Sequence, residues 1–176
     1  MNLKDLPAHP DSPNILNVVV EIPKGSRNKV EFDPELGVFR LDRVLHSPVH
    51  YPGDYGFVTG TLSPDGDPLD ALVLVTDPTF TGCFLSARPI GVLLMTDEAG
   101  QDEKILAVPN EDPRFAEVED LGDLPTHLLK EVEYFFQVYK DLEGKHTAVL
   151  GWEPVGRAHA IIREAIDAFP GKRGDG

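Results

Sequence analysis

The stretch Asp65-Gly66-Asp67-Pro68-Leu69-Asp70 runs directly into the apolar segment Ala71-Leu72-Val73-Leu74-Val75. Three carboxylates therefore stand within six residues, at the start of what the apolar run predicts to be a buried strand. Placing several like charges where water is excluded is unfavourable unless cations lie among them. Carboxylate oxygens suit a hard divalent metal ion, so the stretch predicts both a strand and a cation site.

The spacing of these acids excludes an EF-hand calcium loop, which also opens with alternating oxygen ligands. Counted from Asp65, the position where that loop needs glycine for its sharp turn is Asp70. The position that needs a bidentate glutamate is Thr76. A different kind of metal site is indicated.

A second acidic segment, residues 97–104, lies between two further apolar runs. By itself it is compatible with an ordinary solvated hairpin. If both acidic segments meet at one rim of a barrel, they would supply oxygen ligands for more than one magnesium-sized ion. The six histidines show no metal-ligand spacing, and we interpret them as surface or packing residues.

Secondary-structure signals divide the chain into a strand-rich part and a helical part. Seven segments rich in β-branched or alternating apolar residues are separated by turns with Pro, Gly or Asp, which indicates a small antiparallel barrel. Behind Pro125, apolar residues recur at helical spacing up to Tyr139, and a second amphipathic helix is expected over residues 155–169. The predicted strands are Ile15–Ile22, Lys29–Phe32, Val38–Leu45, Phe57–Leu62, Ala71–Val75, Phe84–Met95 and Lys104–Val108.

Composition excludes several classes of protein. The 176 residues are 41% hydrophobic and 26% charged, which fits one domain, 1–176, with flexible termini at about residues 1–14 and 171–176. A net charge of −14 disfavours a nucleic-acid partner. The single cysteine, Cys83, cannot form an internal disulfide and fits a reducing cytoplasm. The apolar runs are too short to span a bilayer and no signal peptide is evident, so no membrane partner is expected.

Basic and tyrosine residues near the acidic segments point to a phosphate ligand. They include Lys29, Arg43, the run Tyr51–Gly56 and the pair Tyr139-Lys140. Each of them alone is more often a solvated counter-charge or a packed turn than a functional residue, and the Tyr139 ring is compatible with a place in the core. Metal ions would explain how so acidic a protein binds so anionic a ligand.

Together, these motifs resemble those of the family I soluble inorganic pyrophosphatases of bacteria. The resemblance implies a mainly β (α+β) fold, a five-stranded OB-like antiparallel β-barrel flanked by two helices from the C-terminal half. It also implies a Mg²⁺-dependent hydrolase that converts pyrophosphate to two orthophosphates. The matching motifs, in the family's order and approximate spacing, are Glu21-Ile22-Pro23, Lys29-Val30-Glu31, Asp42-Arg43, Tyr51–Gly56, Asp65–Asp70, Asp97–Lys104, Tyr139–Glu143 and Gly151-Trp152.

The resemblance implies that carboxylates hold about three to four Mg²⁺ ions per active site, for which Mn²⁺, Zn²⁺ or Co²⁺ could substitute. Asp70 would bridge two ions, and Asp97 with Asp102 would help to hold an ion that arrives with the substrate. Glu21 and Glu31 match outer positions that reach metal mostly through water. The full set of implied metal ligands is Asp65, Asp70, Asp97, Asp102, Glu21 and Glu31.

The same resemblance implies a general base and a set of phosphoryl contacts. Asp67 matches the residue that takes a proton from a metal-bridging water, and the resulting hydroxide attacks in line without a covalent intermediate. Basic and tyrosine side chains hold the two phosphoryl groups. These substrate contacts match Lys29, Arg43, Tyr55, Lys104, Tyr139 and Lys140.

Bacterial members of this family are commonly homohexamers built as a dimer of trimers, and the first helix supplies part of the contact. Tyr134 and Val138 stand where some relatives carry histidines at the trimer contact, so pH-sensitive assembly through these positions is not expected. The stretch from Glu21 to Lys29 is slightly shorter than in some relatives, which leaves the conformation of the loop Lys24–Asn28 open.

A non-enzymatic alternative is an OB-type module whose acidic loops bind a structural cation and whose barrel binds a protein or nucleic acid. Such a module predicts aromatic and basic residues interleaved along the barrel strands. Here the basic residues accompany the acidic loops and the tyrosines instead. This arrangement favours catalysis.

Overall fold

Eight strands and two α-helices make up the structure, a computed structural model that describes residues 1–173. Short 3-10 helices lie between several of them and at both ends. The strands are β1 (Leu16–Ile22), β2 (Asn28–Asp33), β3 (Val38–Val44), β4 (Asp54–Val58), β5 (Asp70–Val73), β6 (Phe84–Asp97), β7 (Gly100–Pro109) and β8 (Ala148–Pro154), and the helices are α1 (Thr126–Val138) and α2 (Val155–Ala168).

Five of the strands close into a ring in the order β1-β4-β5-β7-β6, with β6 pairing back to β1. Strand β8 extends this sheet beside β6, and β2 with β3 forms a separate hairpin. The predicted OB-like, five-stranded fold with two helices is confirmed. One detail differs from the prediction, because β5 and β7 run parallel. A closed ring with an odd number of strands cannot alternate direction throughout, so one neighbouring pair must be parallel.

Several strand boundaries also differ from the prediction. Strand β4 begins at Asp54, and β7 begins at Gly100, so Asp102 belongs to a strand and only a tight turn joins β6 to β7. Strand β8 was not predicted at all. Its pairing with β6 is irregular near Gly151, whose φ of 135° is a glycine conformation, and this break hides the alternation by which a strand is recognised.

Both faces of the central strands are buried, each against a different helix. Along β5, Ala71 and Val73 join the cluster packed against α2, whereas Leu72 joins the cluster packed against α1. This explains the uninterrupted apolar run after Asp70, since a strand covered on both faces needs no polar side. Helix α1 is thereby held so that its last turn lies beside Tyr55 of β4.

The N-terminal segment, which we expected to be flexible, makes specific contacts with the ring. Leu3 packs against the cluster that contains Phe32 and Phe57. Further along, Thr59 Oγ1 donates a hydrogen bond of 2.7 Å to the carbonyl of Pro7. Residues 174–176, part of the C-terminal segment expected to be flexible, lie outside the described residues.

A close backbone approach at Gly60 adds to this anchoring. A Cβ at Gly60 would lie 2.2 Å from the backbone nitrogen of Ala8, and its φ of 68° also requires glycine. Any larger residue there would push the N-terminal segment away from the ring.

Candidate active site

A cleft of about 250 Å³ lies between the ring, the β2–β3 hairpin and the end of α1. Its lining includes seven carboxylates and every predicted site residue except Arg43. The predicted residues that line it are Glu21, Lys29, Glu31, Tyr55, Asp65, Asp67, Asp70, Asp97, Asp102, Lys104, Tyr139 and Lys140.

The parallel pairing of β5 with β7 builds the centre of the cleft. It places Asp70 opposite Lys104 in register. The ammonium of Lys104 lies 2.8 Å from Asp70 Oδ2 and 3.0 Å from Asp102 Oδ1. It also donates a hydrogen bond of 2.7 Å to the hydroxyl oxygen of Tyr55 on β4. One buried cation thus connects three strands of the ring.

The protonation states of this group follow from its surroundings. Burial by itself lowers the pKa of Lys104, but Asp70, Tyr55 and Asp102 outweigh it, and the pKa lies well above its usual value. Burial raises the pKa of Tyr55, so its hydroxyl keeps its proton. The site therefore presents a fixed ammonium and a neutral hydroxyl donor, both of which suit a phosphoryl oxygen.

The β2–β3 hairpin carries the next pair of cations, because Lys29 and Arg43 are direct register partners across it. Lys29 forms an ion pair with Glu31 and lies 3.9 Å from Asp42 Oδ2. Arg43 pairs with Asp42 at 2.6 Å through Nη1, and its Nε lies 2.5 Å from Glu143 Oε1. Arg43 stands beside the cleft and does not line it.

The C-terminal end of α1 supplies Tyr139 and Lys140. Tyr139 is both a core residue and a cleft residue, since it is 5% exposed within the α1 cluster and also lines the cleft. Burial raises its pKa to about 12, so it too is a neutral hydroxyl. The ammonium of Lys140 lies 3.7 Å from both Asp97 Oδ2 and Glu98 Oε1, at the β6–β7 turn.

The loop that carries Asp65 and Asp67 is a tight turn. The backbone N–H of Ser63 donates to the carbonyl of Asp67 at 2.8 Å, and Gly66 has a φ of 90°. Asp65 Oδ1 accepts a hydrogen bond from the backbone N–H of Asp67 at 3.0 Å. The Asp67 side chain is 68% exposed, so it is accessible to water within the cleft.

The carboxylates have the chemistry of a site for hard cations. Burial raises the pKa of Glu21 to about 7, helped by Asp70 and Glu31 and opposed by the Phe32 N–H. Burial also raises the pKa of Asp102. Acids crowded and desolvated in this way are stabilised in their charged form when a divalent cation lies among them. All the donors are oxygens, as Mg²⁺ prefers.

The carboxylates that line the cleft do not form a compact metal-binding cluster in the part of the chain that the structure describes. Within residues 1–173, no three His, Cys, Asp or Glu side chains form a group that could hold a metal ion. Lys104 instead lies between Asp70 and Asp102. The donor set fits a hard cation by its chemistry and charge.

Sequence reasoning missed two charged residues, one that lines the cleft and one that lies beside it. Lys4 lines the cleft, and its ammonium lies 3.3 Å from Asp67 Oδ1. Glu143 is buried against Arg43, with only 7% of its side chain exposed. Glu143 stood within the motif Tyr139–Glu143, which could have indicated it. The signal for Lys4 was weaker. Asn2 is a residue that can cap a short helix at Leu3–Asp5, but this segment was expected to be flexible.

Asp54, from the run Tyr51–Gly56, has a structural role. It is fully buried, and its Oδ2 accepts hydrogen bonds from the Thr79 N–H at 3.0 Å and the Thr79 hydroxyl at 2.5 Å. Its Oδ1 accepts a 2.8 Å hydrogen bond from the N–H of Lys24. Asp54 therefore anchors the loop Lys24–Asn28, whose conformation the sequence left open.

Comparison with known proteins gives a consistent result. Residues 18–170 match the family model described as inorganic pyrophosphatase. The inorganic pyrophosphatase of Nostoc sp. is 52% identical over 96% of this chain and 99% of its own length. That of Methanosarcina acetivorans is 54% identical over 87% of this chain and 91% of its own length.

A solved structure agrees in fold as well as in sequence. The crystal structure of inorganic pyrophosphatase from Thermus thermophilus superposes with a TM-score of 0.94 at 44% identity and covers 96% of this chain and 99% of its own. The family is one of metal-dependent enzymes that hydrolyse pyrophosphate. The resemblance inferred from the motifs is confirmed, and the chain belongs to the inorganic pyrophosphatase family.

Proposed function

We propose that this chain hydrolyses inorganic pyrophosphate to two orthophosphates by in-line attack of water, without a covalent intermediate. The observation that supports this most directly is the composition of one cleft. Seven carboxylates lie there together with lysines and two tyrosine hydroxyls. Carboxylates alone would repel an anionic substrate. Basic residues could bind such a substrate without any acids nearby. The presence of both therefore suits a substrate that is bound together with metal cations.

We propose Mg²⁺ as the cofactor, with about three to four ions per site, since the seven carboxylates of the cleft and bound pyrophosphate exceed the four lysines that line it by about six or seven negative charges. Mn²⁺, Zn²⁺ or Co²⁺ could substitute. When bound, such ions would lower the pKa of a shared water and neutralise charge on the leaving phosphate. The proposed ligands are Asp65, Asp70, Asp97, Asp102, Glu21 and Glu31.

Asp67 is the proposed general base. Its carboxylate is more exposed than those of Asp70 and Asp102, with 68% of its side chain accessible against 34% and 15%. A carboxylate that is open to water can accept a proton from it, whereas Asp70 and Asp102 are more enclosed and each lies beside the Lys104 ammonium.

Basic and tyrosine side chains would orient the two phosphoryl groups. Lys104 is held by its three contacts and cannot swing away, which makes it a preorganised partner for developing negative charge. Tyr55 and Tyr139 add neutral hydroxyl donors. The complete set proposed is Lys29, Arg43, Tyr55, Lys104, Tyr139 and Lys140.

We further propose a cytoplasmic homohexamer, a dimer of trimers that uses the outer face of α1. Tyr134 on that face is 59% exposed, which leaves an aromatic side chain available for a contact between copies. A protein of net charge −14 is not expected to bind nucleic acid. Among the described residues, none of the helices combines the length and apolarity needed to cross a membrane. Light scattering on a sizing column would measure the assembly.

A phosphate-release assay tests the enzymatic proposal against the non-enzymatic module. Purified protein is incubated with pyrophosphate and Mg²⁺, then with excess EDTA, and then with Mg²⁺ restored. We expect release of two orthophosphates per pyrophosphate, its loss with EDTA and its recovery with Mg²⁺. Pyrophosphate that stays intact in the presence of Mg²⁺ would overturn the proposal and favour the binding module.

A further inference from the structure

The N-terminal segment brings one more cation into the cleft. Lys4 belongs to the short 3-10 helix Leu3–Asp5, and its ammonium donates a hydrogen bond of 3.3 Å to Asp67 Oδ1. The two residues are 63 positions apart, so the contact is produced by the packing of the segment and not by local chain geometry. No motif used to recognise the cleft includes this lysine.

Contacts on both sides of Lys4 hold its backbone in place. The N–H of Lys4 donates to Asn2 Oδ1 at 3.1 Å, which caps the short helix. The neighbouring Leu3 packs against the cluster of Phe32 and Phe57, two residues that also line the cleft. The Lys4 side chain is 27% exposed, far less than the 68% of Asp67. Lys4 is therefore the better fixed partner of the pair.

Asp67 has little else to fix its carboxylate. Among the side chains that the structure describes, Lys4 is the only hydrogen-bond donor to the carboxylate of Asp67. Its loop fixes only the backbone, through the bond from the Asp67 N–H to Asp65 Oδ1 and the bond from the Ser63 N–H to the Asp67 carbonyl. Because the terminal torsion of an aspartate is broad, a carboxylate with one donor on Oδ1 is oriented mainly by that donor. Oδ2 is then left to accept a proton.

We propose that Lys4 is a positioning residue that orients the Asp67 carboxylate for proton transfer, an inference that depends on the proposed role of Asp67 as general base. A base must stand within hydrogen-bond reach of the proton it accepts, so loss of orientation lowers turnover. The pair is partly exposed, so we expect a modest effect, about threefold to fivefold in kcat. KM should change less than twofold, because Lys4 acts on the base and not on the substrate.

A double-mutant cycle tests this inference with Lys4→Met, Asp67→Asn and the combined variant. Asp67→Asn should lower kcat by about 100-fold. Lys4→Met should lower kcat in the parent chain and have no further effect in the Asp67→Asn background, because the group it orients no longer accepts a proton. Lys4→Arg keeps a donor and should restore at least half of the lost turnover.

A matched control removes a similar ion pair outside the cleft. Arg40 Nη1 lies 3.3 Å from Asp33 Oδ2, the same separation as in the Lys4 pair, and Arg40→Met makes the same change of charge. Its kcat should equal that of the parent chain. Thermal unfolding of each variant shows whether the fold is retained.

Three outcomes would overturn the role of Lys4. They are an unchanged kcat in Lys4→Met, a change confined to KM, or an equal loss in the Asp67→Asn background, since the last two would place Lys4 on the substrate. Near-normal turnover of Asp67→Asn is a separate result. It would remove Asp67 as the base, and with it the reason for a positioning residue.

Discussion

Lys104 and Asp70, which are 34 residues apart in sequence, face each other across the parallel pair of strands with 2.8 Å between Nζ and Oδ2. Lys104 is almost fully enclosed, with 5% of its side chain exposed. It therefore offsets part of the negative charge of Asp70 and Asp102 while it offers an ammonium to the cleft. The same residue thus stabilises the ring and is a proposed contact to the substrate.

Lys104→Met is expected to reduce both the stability of the fold and the turnover of pyrophosphate. Removal of the ammonium leaves two desolvated acids close together, so the free energy of unfolding in EDTA should fall by about 2 kcal/mol. Mg²⁺ should restore much of that stability, since a cation can replace the missing charge. Turnover should stay at least 100-fold low because the proposed phosphoryl contact of Lys104 is lost. Thermal unfolding with EDTA and with Mg²⁺ measures the first effect, and equal stability of variant and parent in EDTA would contradict it.

Asp70→Ala should weaken metal binding as well as turnover. Asp70 is the proposed bridging ligand, so its loss should move the Mg²⁺ dependence of activity to at least tenfold higher concentration. Asp67→Asn, whose proposed role is to accept a proton, is the comparison and should keep the Mg²⁺ dependence of the parent chain. A magnesium titration of Asp70→Ala that overlays the parent curve would count against the bridging role.

Glu143→Gln should affect the binding of pyrophosphate. Glu143 is buried beside Arg43, and without its charge the guanidinium is held mainly by Asp42. We expect KM to rise about fivefold with kcat within twofold, because the charge that helps to orient Arg43, a proposed substrate contact, is removed. Asp141→Asn, at an exposed position of the same short helix, is the control. Equal KM values for Glu143→Gln and the parent would show that Arg43 needs no such support.

Glu21→Gln should stabilise the metal-free protein in a pH-dependent way. The pKa of Glu21 is about 7 in the folded chain, above the ordinary value of 4.5. Between these two pH values the folded chain retains a proton that the unfolded chain has released. This glutamate therefore makes the parent chain lose stability as the pH rises from about 4.5 to 7. Glutamine keeps the acceptor for the Phe32 N–H and avoids that loss.

The gain for Glu21→Gln should reach up to about 3 kcal/mol above pH 7 and vanish near pH 4. Denaturant unfolding in EDTA across this range measures it. Glu153→Gln neutralises an exposed glutamate on β8 and should show no such difference. A Glu21→Gln variant that is no more stable than the parent at pH 8 would mean that the buried carboxylate carries no such cost.

The sequence predicted those parts of the site that have local signals. Asp65–Asp70 combines clustered charge, a glycine turn and a following apolar run, and each of these features has a physical meaning without knowledge of the fold. The stripe that ends at Tyr139 likewise predicted α1, because its periodicity arises within one helix. The ring fold followed from strand spacing together with the motif resemblance.

Features that depend on distant contacts were not visible in the sequence. Nothing near Lys4 shows that Leu3 packs against Phe32 and Phe57, so the segment was expected to be flexible. The irregular pairing near Gly151 obscured β8. The burial of Glu143 depends on Arg43, which approaches from a hairpin far away in the chain.

The odd number of strands in the ring limits how this protein can change. Loops can lengthen and side chains can vary without affecting strand direction, but insertion or deletion of one ring strand would make complete alternation possible. An odd count requires at least one parallel pair, and in this protein that pair is β5–β7, which places Asp70 opposite Lys104. A redesign that aims to keep these two side chains together should therefore preserve the parallel β5–β7 pairing, and an odd strand count guarantees that at least one parallel pair remains in the ring.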